Sequence, residues 1–153
     1  MGNFRKTRNV ELSVVQFVED AINASWSGIT VVKSFVQAYS VVLPVVCVRM
    51  TDINTSRLEI GSQTLTQTYT IEVDIFATSD GQRLDLVDFL TEAVKSGMDY
   101  YEYSSVSGSE TLGKVKTGKV RVFSFDASSK VDPSAASVEQ DKFRHYLAFT
   151  VSA

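Results

Sequence analysis

The sequence predicts an α+β domain whose elements run in the order α, β, β, β, α, β, β. A change of hydrophobic period near the middle of the chain carries that prediction, together with the pair of apolar strands that closes the chain. In Leu65 to Ala77, the odd positions Leu65, Tyr69, Ile71, Val73, Ile75 and Ala77 are apolar, interrupted only by Gln67. Thr66, Thr68, Thr70, Glu72 and Asp74 face the other way, as expected of a long strand with one buried face. After Ser79, Asp80 and Gly81 the apolar set becomes Leu86, Phe89, Leu90, Ala93 and Val94, which is helical spacing. The period has changed from two to 3.6.

The other elements follow in turn. Residues 1–9, with Arg5, Lys6 and Arg8, read as a basic N-terminal arm. Asn9 can cap a helix from Val10 to Ala24, whose stripe is Val14, Val15, Val18, Ala21 and Ile22. Ile29 to Val36 is β-branched and reads as a strand, and Val41 to Met50 is apolar on both faces, as in a strand central to its sheet. Pro44 places the first residues of that segment at a strand end, because proline has no amide hydrogen for the ladder. Asp52, Asn54, Thr55 and Ser56 suggest a turn, with an extended path resuming from Arg57 to Ile60. Ser104 to Gly118 is rich in Ser and Gly and reads as a mobile functional loop or an extended hairpin. Val120 to Asp126 and Phe143 to Val151 are the closing strands, joined by a polar linker, Ala127 to Asp141, with room for a helical turn.

A chain of 153 residues with 44% hydrophobic and 22% charged residues fits one domain, residues 10–153, with an ordinary core. The net charge of −3 disfavours tight nucleic-acid binding by the whole surface, which needs a basic surplus to neutralise phosphates. Cys47, the lone cysteine, lies in an apolar run and reads as a small core residue, in keeping with a soluble, reducing compartment. No stretch is long and apolar enough to span a bilayer, and no signal peptide or myristoylation pattern opens the chain.

Reactive chemistry has little to work with. One histidine and one cysteine cannot make a nitrogen- or sulfur-based metal site, and neither metal nor cofactor is expected. His145 alternates with Phe143 and Leu147 and reads as a strand wall residue, with no GxSxG elbow to supply a nucleophile. Glu72 and Asp74 read as a solvated strand face. No phosphate-binding loop is present either. The remaining features are the basic groups Arg5, Lys6 and Arg8, the tyrosines Tyr100, Tyr101 and Tyr103, and the cations Lys114, Lys116, Lys119 and Arg121. These are the candidate interaction residues, since tyrosine and basic side chains suit protein interfaces and acidic partners.

The element order, with LPVVCVRMTDINTSRLEIGS, YTIEVDIFATSDGQR leading into a helix, and DKFRHYLAFTV, resembles the tail terminator and tail-completion proteins of long-tailed bacteriophages. The similarity runs from about Val10 to Val151, and the Ser- and Gly-rich insertion at 104–118 departs from it. The resemblance implies a mixed sheet with the two main helices packed on one face, and a closed ring, commonly a hexamer. It implies a non-enzymatic virion protein that caps the tail tube, joins the head connector, and lets DNA pass without specific binding. Its partners would be further copies of itself, the tail tube protein and a connector or neck protein, with no membrane. It would be assembled in the bacterial host cytoplasm and reside in the tail or neck of the virion. A neck or head-tail adaptor of the same assembly is the alternative role, with a small cofactor-free enzyme or an unrelated binding module further off.

Overall fold

The computed structural model describes residues 5–61, 63–107, 110–131 and 141–153, and for 104–107 and 110–112 the backbone alone. The elements are α1 (Lys6–Ser25), β1 (Thr30–Val32), α2 (Phe35–Ala38), β2 (Val45–Arg57), β3 (Leu65–Phe76), α3 (Asp80–Val94), β4 (Met98–Ser107), β5 (Glu110–Val131) and β6 (Arg144–Ser152). The strands form one six-stranded sheet in the order β1-β2-β3-β6-β5-β4. Only β1 and β2 pair in parallel, so the sheet is mixed and the class is α+β.

The alternation in β3 decides where the main core sits. Tyr69, Ile71, Val73 and Ile75 share a face with Val46 and Val48 of β2 and with Leu147, Phe149 and Val151 of β6, as the strand register requires. Val10, Val14, Val18 and Ile22 of α1, and Leu86, Leu90 and Val94 of α3, bury their stripes against that face. Both main helices therefore lie on one side. The opposite face carries a smaller cluster of Val32, Ala38, Val45, Cys47 and Phe76, with Phe35 packed against it from α2. This short helix, absent from the sequence reading, begins where the Ser34 hydroxyl accepts the Gln37 N–H at 3.4 Å. The segment from Ile29 to Val36 is accordingly a strand of only three residues followed by a turn and a helix.

The sheet curls so that α1 reaches both β2, beyond its short pairing with β1, and the edge strand β4. The Glu11 carboxylate accepts the Met50 N–H of β2 at 3.1 Å, while Ser13 Oγ accepts the Tyr101 N–H of β4 at 3.0 Å. Asn9 Oδ1 accepts the Tyr103 N–H at 3.4 Å. Side chains of α1 thus satisfy backbone donors on both flanking strands, which blunts those edges. The arrangement also corrects the helix start. Asn9 and Ser13, one turn apart, must share a helical face to reach β4, so Lys6 to Asn9 belong to α1 rather than to a separate arm.

The two hairpins are longer than the composition suggests. β2 continues through Asp52, Asn54, Thr55 and Ser56, where a turn was expected, past a bulge between Met50 and Asp52. The reversal comes later, where the Leu58 N–H donates to Thr64 O at 3.0 Å. Cross-strand contacts such as Ser56 Oγ to Thr66 Oγ1 at 3.0 Å, and Gln67 Nε2 to Thr55 Oγ1 at 3.2 Å, allow polar residues to hold an extended ribbon. Of the two readings open for Ser104 to Gly118, the extended hairpin holds, since most of the segment forms the β4-β5 pair. The expected linker from Ala127 begins inside β5, which reaches Val131, and residues 132–140, with any helical turn there, lie outside the described residues.

Candidate interaction surface

The candidate residues divide by their place in the β4-β5 hairpin and by how much of each is covered. Register sets Tyr101 opposite Lys116, Tyr103 opposite Lys114, and Asp99 opposite Lys119. Lys116 and Lys119 both reach Asp99 Oδ1 at 3.1 Å, and these two contacts hold its carboxyl below the usual carboxylate range. Lys114 Nζ stands 4.6 Å from the Tyr101 ring centroid, a cation–π contact. Tyr103 is buried, and its hydroxyl donates to Leu12 O at 3.5 Å, so it holds α1 to β4 and is a core residue. Tyr100 is half-buried, and burial raises its phenol above the ordinary value.

Lys6, Tyr100 and Lys119 come together, with Glu102, around an open cavity of about 340 Å³ beside the first turn of α1. This convergence was not legible in the sequence, where Lys6 stands far from the other two. Arg5 is half-buried and Arg8 is exposed on α1, while Arg121 is exposed on β5, and none of the three lines the cavity.

Two polar clusters lie elsewhere on the sheet. On the face beneath α2, Asp74 is fully buried and accepts from Arg144 Nη2 at 2.9 Å and Arg49 Nη2 at 3.4 Å. Glu72 accepts from Arg49 at 3.1 Å and from the Tyr146 hydroxyl at 2.9 Å. Both guanidinium groups also lie over the Phe35 ring, at 4.7 and 4.8 Å from its centroid. The solvated face expected for Glu72 and Asp74 is therefore a covered, charge-paired one. The missing signal was pairwise, because register brings Arg49 and Arg144 to flank the acidic residues only once β2 and β6 are placed on either side of β3. Cys47 lies beneath the same cover, and burial, with the Asp74 charge, pushes its thiol up to about 11, which leaves it unreactive as a nucleophile.

On the helix face, Arg83 Nη1 and His145 Nδ1 are 2.7 Å apart, and Ser128 Oγ is 2.8 Å from His145 Nε2. An arginine cannot accept a hydrogen bond, so Nδ1 must accept and Nε2 must carry the proton. His145 therefore donates to Ser128 and cannot act as its base. In a serine nucleophile site the polarity is reversed, with a carboxylate at the first nitrogen and the base lone pair facing the serine. Burial and then the Arg83 charge lower the imidazole pKa, consistent with this neutral form.

Among the described residues, no three side chains of His, Cys, Asp or Glu form a metal-binding group, and no helix is long and apolar enough to cross a membrane. What the described surface does carry is exposed apolar area. The distal β2-β3 hairpin holds Ile53, Leu58, Ile60 and Leu65, exposed by 46, 65, 103 and 54%. On β5, Val115, Phe123 and Phe125 are exposed by 65, 76 and 46%. No protein-family model matches the chain, and no curated protein matches it.

Proposed function

We propose that this chain is a virion structural protein, a tail terminator whose copies form a ring that caps the tail tube and joins it to the head connector. The observation that carries the reading is the β2-β3 hairpin beyond Met50, a two-stranded ribbon whose described residues from Thr51 to Thr66 are all exposed in the single chain. Such a ribbon is marginal in water without a further apolar surface against it, so four exposed aliphatic side chains on it favour an assembled state. Support also comes from the resemblance, which covers most of the chain and pairs this fold with ring assembly. The ring, most simply a hexamer, is the form in which one subunit's projecting elements are covered by its neighbours. The mildly acidic balance suits a conduit that DNA crosses without sticking.

The test is made on particles. Disrupting the gene in the virus that encodes it should leave heads and tails unjoined, with tubes of irregular length, and supplying the protein should restore infectious yield. Electron microscopy of intact particles should show a ring of copies at the head end of the tube. One copy per particle, or normal particles without the protein, would refute the reading.

A further inference from the structure

We infer that the β2-β3 arm of one subunit docks on the outer side of β5 in a second copy, in a head-to-tail contact. This deepens the ring reading and rests on it. The two patches are separate. The arm projects from β2 and β3, while Phe123 and Phe125 lie on β5, beyond β6 in the sheet order. A contact between unlike patches of identical chains is heterologous, and such contacts close into rings when the rotation permits.

Each patch has the shape this docking needs. Register sets Ile53 opposite Tyr69 and Leu65 opposite Arg57, so Ile53 and Leu65 continue the core face outward along the arm. Past Arg57 and before Leu65, Leu58 and Ile60 add apolar area at the tip. From Met50 to Arg57 the arm extends ~20 Å, long enough to cross onto a neighbour. On the receiving side, β5 beyond Val120 pairs with β6 alone among the described strands. Register shifts between Val122 and Ser124 and between Phe125 and Ala127 break its ladder. Bulges of this kind turn side chains outward and discourage indiscriminate strand addition, so the contact is made by Phe123 and Phe125 rather than by a continued sheet.

Charge agrees with the pairing. Two of the three charged residues from Thr51 to Thr66 are acidic, Asp52 and Glu59 against Arg57. On the receiving part of β5, from Arg121 to Val131, two residues are basic, Arg121 and Lys130, against the single acid Asp126. Opposite net signs on unlike patches favour arm-to-β5 contact over arm-to-arm contact.

The experiment uses the full chain at high concentration and reads native mass. Ile53→Asp with Ile60→Asp, and separately Phe123→Asp with Phe125→Ser, should weaken self-association about tenfold or more. Val42→Asp, at a position 85% exposed on another part of the surface, should not. Thermal melting of each variant confirms that the subunit is folded. Mixing an Ile60→Cys chain with a Phe123→Cys chain should give an oxidised heterodimer that neither chain forms alone. If wild type assembles and both double variants assemble equally well, the arm contact is wrong and the ring reading stands. A wild type that remains monomeric also overturns the contact, and the copy number on particles then decides the ring reading separately.

Discussion

The two faces of β3 use the same strand to opposite chemical ends. On one, Val73 and Ile75 pack with Leu147 and both main helices. On the other, Glu72 and Asp74 are neutralised by Arg49 and Arg144 under a four-residue helix. Both faces are covered at this level, since Val73 is 1% exposed and Asp74 is 0% exposed. The comparison teaches that alternation tells which residues share a face but not whether that face meets water. A polar face is free to be buried once each charge has a partner.

The largest way to break the comparison is to make the apolar face resemble the polar one without its partners. Val73→Asp removes a buried side chain, about 1.5 to 3 kcal/mol of burial, and leaves a carboxylate with no cation beside it. The expected loss is about 4 kcal/mol or more, which in a chain of this size lowers Tm by roughly 10 °C or prevents folding. Denaturant unfolding or thermal melting checks it, and an unchanged midpoint would mean that Val73 is not in the core.

A second test removes the charge from the polar face. Asp74→Asn keeps the shape but leaves Arg144, among the described residues, with the longer ion pair to Asp141 at 3.7 Å, and Arg49 with Glu72. Breaking a buried pair from one side costs about 3 kcal/mol. Replacing three of the four charges, with Asp74→Leu, Arg49→Met and Arg144→Met together, should recover most of that loss, because their desolvation goes with them and the part-exposed Glu72 keeps the Tyr146 hydroxyl. Equal stability for wild type and Asp74→Asn in urea would show that the carboxylate contributes nothing. A triple variant less stable than the single one would show that the ion pairs outweigh their desolvation.

The parts of the fold that were legible in the sequence are those where burial and period coincide. Tyr69 to Ala77 and Leu86 to Val94 were correctly placed because each has one apolar face against one core. Gln67, the break in the apolar row, proves to mark the base of the arm, where its Oε1 accepts the Tyr69 hydroxyl at 2.8 Å. The polar stretch from Asp52 to Ser56 misled because turn-forming composition was read as turn, and the same kind of composition left Ser104 to Gly118 open between a loop and the extended hairpin that it forms. An exposed ribbon needs no apolar period, and its register is held by backbone pairing and cross-strand polar contacts that no single segment reveals. The short α2 escaped for a related reason, since four residues are too few to establish a period. Among the candidate residues, the grouping of Lys6 with Tyr100 and Lys119 depended on α1 lying beside the edge of β4, and Tyr103 was indistinguishable by type from its half-buried neighbours.

The smallest expected effect sharpens the comparison at a buried polar residue on the apolar face. His145 is buried beside Arg83 and Ser128, with Asp80 and Lys130 paired just beyond at 3.6 Å. Burial and then the Arg83 charge depress its pKa in the folded chain. The unfolded chain therefore binds a proton more readily, and its histidine titrates at about 6.5. The stability of the neutral arrangement is present above that value and is lost as pH falls through it toward the lower folded pKa. The chain has one histidine, so no second imidazole confuses the range. Wild type should melt at a lower temperature at pH 5.5 than at pH 7.5, and His145→Asn should flatten that slope while losing some stability at the higher pH. A slope that persists unchanged in His145→Asn would assign the pH dependence to other groups, and would leave the neutral, proton-donating form of His145 without support from stability.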